Sequence, residues 1–441
     1  MTFFDWLVAH HVASIVIGLT TAGFSVAILG QRRPTGSAFA WILVILFVPY
    51  LGIPLYVVFG GRKFRRRARE KSRLPVAASG AAVGTTTASV TWLGDGVDAY
   101  ATFLREIQGA TKSIRLVTFV LGDDTTGCPL TEALIERAKG GVEVRLLLDD
   151  FLRFHAPHGL LRKLEAAGGV VQRFMPLFHI PFRGHGNLRN HRKIALFDGV
   201  RAIVGGMNLA DEYMGPKPSD TRWRDLSTVV TGPAVETLDA IFRADWEFAS
   251  GKRLDPCAVA GTPGSIPLRV IPSGPDSPND PIYDAILTAL FRAESRFWVS
   301  TPYFIPDEPL MRALSIAARR GIDVRIFLPG RSNHLLADLV AGPSLRELEQ
   351  EGVRIHRHRT MLHAKTLLVD DTLAVVGSAN FDMRSLFLDY EIALFFSTKD
   401  EVTWLEAWFE ATRARSDVGA PKAGFARARV ESVVRLLAPL L

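Results

Sequence analysis

The chain has 441 residues, 48% of them hydrophobic, and carries 52 Lys or Arg against 45 Asp or Glu. That length holds two ordinary domains or one duplicated core with an appendage, and the apolar share is high for a soluble enzyme, so some of it lies outside any globular core. The net charge of +7 does not point to a nucleic-acid partner: Arg62 to Arg73 holds eight Lys or Arg and one Glu, and the remainder balances at 44 against 44.

From Val12 to Leu29, and again from Ala38 to Phe59, the chain has no charged residue. Each run is about the 20 residues needed to cross a hydrocarbon core of roughly 30 Å as a helix. The two are expected to form a membrane anchor over residues 1–73. The second run carries Pro49 and Pro54 with Trp41, Tyr50 and Tyr56. It either spans, which is the simpler reading, or dips into the bilayer and returns. A secretory signal is excluded because Met1 to His11 has no Lys or Arg and no small-residue cleavage pattern precedes the second run. The eight basic residues after Phe59 outweigh Arg32 and Arg33, so the bulk of the chain is expected to face the cytoplasm, with two crossings returning the amino terminus to that side. This basic collar would lie against anionic headgroups at about 1 kcal/mol per residue. A Gly/Ala/Ser/Thr-rich stretch, Pro75 to Ser89, reads as a flexible linker, placed at 74–90.

The remainder repeats itself. Leu130 to Leu147 reads LTEALIERAKGGVEVRLL, and 180 residues later Leu310 to Phe327 reads LMRALSIAARRGIDVRIF. Each is a helix, a Gly and a buried strand, preceded by another apolar run (Ile114 to Leu121, Phe297 to Ile305). A second helix and strand follow from Leu161 and from Leu345. Strands alternating with helices predict an α/β fold with parallel pairing and helices on both faces of the sheet. Two homologous sandwich domains, 91–258 and 259–441, are expected to pack about a pseudo-twofold axis. Cys128 and Cys257 form neither a C-x-x-C pair nor a Cys/His cluster, which excludes a zinc site and a disulfide framework and leaves two ordinary packed thiols.

Within the repeats stand NHRKIALFDGVRAIVGGMN, with His191, Lys193, Asp198, Gly205, Gly206 and Asn208, and LHAKTLLVDDTLAVVGSAN, with His363, Lys365, Asp370, Gly377, Ser378 and Asn380. Every spacing agrees. Residues two apart share a strand face, so each His stands beside its Lys, while the Asp falls off that face and Asp198-Gly199 reads as a hairpin turn. Each Asp is therefore expected to order its motif. The small pair after the hairpin permits close approach of backbone or ligand, and the Asn offers a neutral donor. Together the halves would supply two imidazoles, two ammonium groups and two amides, which is what phosphodiester exchange needs: one His attacks phosphorus, the other protonates the leaving oxygen, and Lys and Asn stabilise the nonbridging oxygens. No cofactor is implied, and the motifs hold no carboxylate cluster for a metal. A nucleophilic His needs a partner on its other nitrogen, for which Glu391 in LDYEIALFF and Asp225 in WRDLSTVV are the candidates. His179, His185, His334, His356 and His358 have no counterpart across the repeat and are expected in surface or satisfied roles.

The paired motif resembles the HKD motif of the phospholipase D superfamily. RRPTGSAFAWILV, TPYFIPDE, VRIFLPG, FDMRSL and RLLAPLL resemble phrases of bacterial cardiolipin synthases in particular. The resemblance implies that His191, Lys193, Asp198, His363, Lys365 and Asp370, joined by Asn208 and Asn380, are catalytic, with His191 the nucleophile and His363 the acid. It also implies an inner-membrane enzyme joining two phosphatidylglycerol molecules into cardiolipin and glycerol, although some relatives take another phosphatidyl donor. HRHRTMLHAK before the second motif is more basic and less aromatic than that family's pattern. The apolar FMPLFHIPF, Phe174 to Phe182, is expected to guide acyl chains or to pack in the core, and Phe425 to Leu437 to form an interfacial or a packed helix. Rival readings are a phospholipase D-type hydrolase, a nuclease and a noncatalytic membrane scaffold. The membrane runs and the lack of net positive charge in the remainder count against the nuclease. The cost of burying unused Lys and His counts against the scaffold.

Overall fold

A computed structural model describes residues 3–30, 35–59, 85–151, 153–175, 188–257, 264–277 and 279–435. The basic collar, most of the linker, FMPLFHIPF beyond Met175, His179, His185 and the end of the chain from Leu436 lie outside them.

Helix α1 (Phe3–Leu29) contains the 20-residue, predominantly apolar segment His10–Leu29, about 30 Å of helix, and leaves Val12, Ile15, Leu19 and Val26 bare on its surface. The second apolar run does not form one straight helix of membrane length. It breaks at Val48 into α2 (Thr35–Phe47) and α3 (Pro49–Phe59), of 13 and 11 residues. At about 1.5 Å per residue neither reaches across a bilayer core. The two fold back on each other: Trp41 and Tyr56 meet edge to face at 5.3 Å, where a straight helix would hold them about 22 Å apart. Pro49 cannot donate the hydrogen bond that would continue α2. Gly52 lets the backbones touch, since a Cβ there would fall 2.7 Å from the Val44 carbonyl oxygen.

The first half of the body runs β1 (Thr86–Leu93), α4 (Gly96–Gly109), β2 (Ser113–Thr118), α5 (Gly127–Lys139), β3 (Glu143–Asp149), α6 (His158–Ala166), β4 (Val170–Phe174), β5 (Ile194–Phe197), β6 (Arg201–Gly205), β7 (Ser227–Thr231) and α7 (Ala234–Ser250). The second runs β8 (Ile266–Ser273), α8 (Pro281–Arg292), β9 (Arg296–Ser300), β10 (Phe304–Ile305), α9 (Glu308–Arg319), β11 (Asp323–Pro329), α10 (Leu335–Gln350), β12 (Arg354–His358), β13 (Lys365–Val369), β14 (Leu373–Gly377), β15 (Phe381–Asp382), α11 (Met383–Phe387), β16 (Glu391–Phe396) and α12 (Lys399–Arg413), and closes with β17 (Ser416–Val418) and α13 (Phe425–Arg435). The linker ends sooner than its composition suggests, because β-branched Thr86 and Thr87 with Ala88 pair with β8.

Fifteen strands form one sheet in the order β17-β12-β11-β9-β13-β14-β16-β8-β1-β7-β6-β5-β2-β3-β4, symmetric about the β8–β1 seam apart from β17. The parallel pairing expected from the helix–strand alternation holds for β2-β3-β4 and β9-β11-β12, and for the separate two-stranded β10-β15 sheet; the other pairs of the large sheet are antiparallel. The physical reason lies in the motifs. A hairpin turn leaves no room for the helical crossover that parallel strands require. Although β6 and β14 each lie three strands from the seam, they touch, so the sheet folds back on itself there. Leu196 and Val204 of one half and Leu368 and Val376 of the other share a core with Phe242 and Trp246 of α7 and Phe409 of α12. Outer cores lie under α4 to α6 and under α8 to α10. Helix α13 packs on α10, where the fully buried Glu431 pairs with Arg346 and Arg427. His356 is buried, stacked on Phe327, and His358 bonds Thr360.

Candidate active site

The motif hairpins are held at their far ends. Asp198 takes a left-handed φ of 53° before Gly199 at 68°, and Asp370 takes 47°. Their carboxylates accept from the backbone N–H groups of Thr111, Lys112 and Ser113, and of Glu294, Ser295 and Arg296. Burial pushes both carboxyls up, but these donors outweigh it and hold them below the usual range. The two Asp residues thus fasten each hairpin to the start of β2 or β9.

The glycines serve backbone packing. A Cβ on Gly206 would lie 2.2 Å from Asp225 Oδ1, and one on Gly377 would lie 2.4 Å from the Ile392 carbonyl oxygen. Each motif is thereby pressed against the strand or loop that carries the acid. Where the first half has Gly206 the second has Ser378, whose hydroxyl donates to Glu391.

The acids reach across the halves. Glu391, from the second half, lies 3.0 Å from Nδ1 of His191 in the first, and Asp225, from the first, lies 2.6 Å from Nδ1 of His363 in the second. Backbone bonds fix this exchange: His191 N–H donates to Tyr390, Tyr390 to Arg189, Arg224 to Met361 and His363 to Arg224. His191 Nδ1 is also 3.1 Å from the Ser378 carbonyl oxygen. A carbonyl only accepts, so Nδ1 carries the proton and Nε2 keeps the lone pair.

The two imidazoles differ electrostatically. Burial, with Lys193 and Lys365 beside it, holds the His191 pKa well below its ordinary value; burial and Lys365 bring His363 down to about 3. Burial lowers Lys193 to about 7 and Lys365 to about 8, and each senses both acids. Burial also raises Glu391 to about 7. Asp225 is raised by burial but lowered more by His363, Lys365 and two hydrogen bonds, so it stays ionised. Lys193 Nζ donates to the His191 carbonyl oxygen at 2.6 Å, and Lys365 Nζ lies 3.0 Å from His363 Nε2.

Asn208 is fully buried, its Oδ1 accepting from Val120 N–H at 3.1 Å, so it braces the chain after β2. Asn380 is buried beside the second motif, and its Oδ1 has no hydrogen-bond partner among the described residues. The structure thus gathers His191, Lys193, Glu391, His363, Lys365 and Asp225, places the two Asn at the edge and leaves Asp198 and Asp370 outside.

Sequence reading missed the aromatic walls and a buried ionic frame. Phe119 meets the His191 ring at 5.0 Å, while Tyr213 and Trp223 meet His363 at 4.9 and 5.3 Å. Arg192 chelates Asp245 at 2.6 and 2.7 Å and donates to the Glu391 and Ser273 carbonyls, tying the first motif to the second half. Asp149 receives Asn190 N–H and Arg189. Its place at the end of the apolar run VRLLLD was the available signal, the mirror of the run start that marked Glu391. Arg192→Ala leaves the Asp245 carboxylate buried without its guanidinium, and a loss of about 3–5 kcal/mol is expected in thermal or denaturant unfolding in detergent. A loss under about 1 kcal/mol would show that the frame is dispensable.

The chain matches the family model described as cardiolipin synthase, PLD-like domain, over residues 103–246 and 286–413, and a phospholipase D-nuclease N-terminal model over residues 18–61. It is 31% identical to the cardiolipin synthase of Oceanobacillus iheyensis, across 98% of this chain and 100% of that one. It is 30% identical to cardiolipin synthase 1 of Bacillus cereus, across 96% and 92%. Against the major cardiolipin synthase of Bacillus subtilis the identity is 31%, across 84% and 86%. Among solved structures, the phosphatidylserine synthase of Haemophilus influenzae shares the fold at a TM-score of 0.64 and 14% identity, covering 85% of this chain and all of that one.

Proposed function

The chain belongs to the cardiolipin synthase family of phospholipase D-like proteins, and from that premise we propose that it is a phosphatidyltransferase joining two phosphatidylglycerol molecules into cardiolipin and glycerol. The observation that carries this reading is the crosswise pairing of each motif histidine with an acid of the opposite half, which makes one site from two repeats.

His191, neutral with its lone pair on Nε2, attacks the donor phosphorus. His363, neutral in the free enzyme, takes up a proton at Nε2 as the anionic phosphodiester binds, the phosphate charge and the ionised Asp225 offsetting Lys365. The phosphorus–oxygen bond to glycerol then breaks, a phosphohistidine forms, and that proton passes to the departing glycerol oxygen. His363 then takes the proton of the acceptor's terminal hydroxyl, whose oxygen displaces His191 and completes cardiolipin. The ionised Asp225 favours a transient imidazolium at His363, as the acid needs. Glu391, raised to about 7, favours it less at His191, as a nucleophile needs. Lys193 and Lys365 balance charge on the nonbridging oxygens, with Asn380 beside them. Asp198 and Asp370 act by fastening the hairpins.

The lysines make the pH dependence specific. Both must be protonated to hold phosphate, so kcat/KM on phosphatidylglycerol in detergent is expected to fall as pH rises through about 7 to 8. The limb of kcat lies higher, because bound phosphate stabilises the ammonium forms. A kcat/KM that rises through this interval contradicts the lysines' role.

The run between Arg62 and Arg73 puts the body on the cytoplasmic face by the positive-inside rule. With α1 crossing once and α2–α3 returning to the side they enter, the start of α1 lies on the opposite side, which revises the two-crossing expectation. The function is tested by supplying the purified chain with phosphatidylglycerol labelled in its headgroup. Cardiolipin and free glycerol in equal amounts are expected. Phosphatidic acid as sole product would make the chain a hydrolase, and no product from any phospholipid would favour the scaffold.

A further inference from the structure

Large apolar side chains stand exposed at equivalent places in the two halves. The chain after β3 carries Phe151 at 49% and Phe154 at 71% exposure; the chain after β11, the matching strand, carries Leu335 at 66% and Leu336 at 52%. A single exposed apolar residue needs no explanation, but a matched set does. Both segments leave the same ends of the parallel strands as the continuation of β2, which brings Phe119 to His191.

Each tip is coupled to the site through one aromatic residue. The Phe151 ring stacks on Phe119 at 6.4 Å, Phe119 meets His191, and Lys193 Nζ lies 5.5 Å from the Phe119 ring. In the second half Tyr303 donates to Asn333 at 2.6 Å and meets the His334 ring at 5.3 Å, immediately before Leu335. Tyr303 also receives a bond from Thr301, which accepts from Phe381 N–H next to Asn380. The tips therefore lie near the two-histidine site, one from each repeat. Exposed Arg331 stands on the second tip.

We propose that these tips are a lipid-docking rim: Phe151 with Phe154, and Leu335 with Leu336, enter the acyl region of a bilayer rich in anionic phospholipid while Arg331 meets its headgroups. The inference rests on the phospholipid reading above and adds how that substrate is reached. A diacyl phosphatidyl group exposes its tails to water if it must leave the membrane. A site whose flanking tips sit in the hydrocarbon boundary needs to draw up only the headgroup. A second copy of the chain is the other occupant to be tested.

The full chain, with Cys128→Ser and Cys257→Ser, is reconstituted into phosphatidylglycerol-containing vesicles with an environment-sensitive fluorophore on Phe151→Cys or Leu336→Cys. Phe291→Cys, exposed at the opposite strand ends, is the control. Blue-shifted emission, and quenching by acyl-brominated lipid at least about threefold greater than at position 291, is expected. Quenching equal to the control, or a blue shift without quenching, which means cover by protein, overturns the rim. This readout does not depend on turnover, so it survives or fails separately from the transfer reading. In parallel, Phe154→Asp with Leu336→Asp is expected to lower turnover of bilayer phosphatidylglycerol about tenfold while turnover of a soluble short-chain analogue stays within about twofold. An equal fall on both substrates would place the effect in the fold or the site and overturn the rim.

Discussion

His191→Ala is expected to abolish phosphatidyl transfer with every donor, whereas His363→Ala recovers its first step when the donor's leaving group needs no proton. The two rings stand beside similar lysines, yet their second nitrogens face different partners. The Ser378 carbonyl and a carboxyl raised to about 7 hold Nδ1 of His191, which keeps that ring neutral and nucleophilic. An ionised Asp225 at 2.6 Å favours a proton on His363. With phosphatidylglycerol both variants should lose at least about 10⁴-fold, the upper range for a general acid and less than the loss of a nucleophile. With a phosphatidyl ester of p-nitrophenol, His363→Ala should release about one equivalent of nitrophenolate per site and then stall for want of a base. His191→Ala should release none. A burst from His191→Ala and none from His363→Ala would reverse the roles.

Asp225→Asn should be the more damaging of the two acid substitutions. An Asn amide can donate to His363 Nδ1 and hold the ring in the wrong tautomer, and such a change behind a catalytic His costs on the order of 10⁴-fold. Glu391→Gln should cost about 10- to 100-fold, because the Ser378 carbonyl still fixes the His191 tautomer and Glu391 is already partly neutral near pH 7. The nitrophenyl ester also tests the crosswise pairing. Asp225 lies in the first half but serves the acid of the second, so the Asp225→Asn burst should be restored as in His363→Ala. If Asp225 served His191 instead, no burst would return.

Much of this was legible because repetition is visible in sequence. The Asp198-Gly199 turn followed from the need for φ > 0 at both positions, and the same spacing in the second motif made Asp370 its equivalent. Glu391 and Asp225 were legible as acids at the start of apolar runs. Their exchange between halves was not, because it depends on how Asn190–His191 lies beside Tyr390 and Arg224 beside Leu362. The antiparallel strands of each repeat were misjudged by giving the helix–strand alternation more weight than the hairpins inside the motifs. The anchor shows a similar limit. Hydropathy saw an apolar run of membrane length in Ala38 to Phe59 but not that Pro49 and Gly52 turn it back. Phe119, Tyr213 and Trp223 carried no mark at all, since an aromatic residue in an apolar run reads the same whether it fills a core or faces an imidazole.

The central claim is that one phosphorus atom is reached by both rings, and the structure of the full chain bound to vanadate tests it most directly. A single vanadium bonded to His191 Nε2 is expected, with the opposite apical oxygen within about 2.6–3.2 Å of His363 Nε2. Two vanadates, each held by one histidine, or a vanadate on His191 with the His363 ring beyond hydrogen-bond reach, would contradict it.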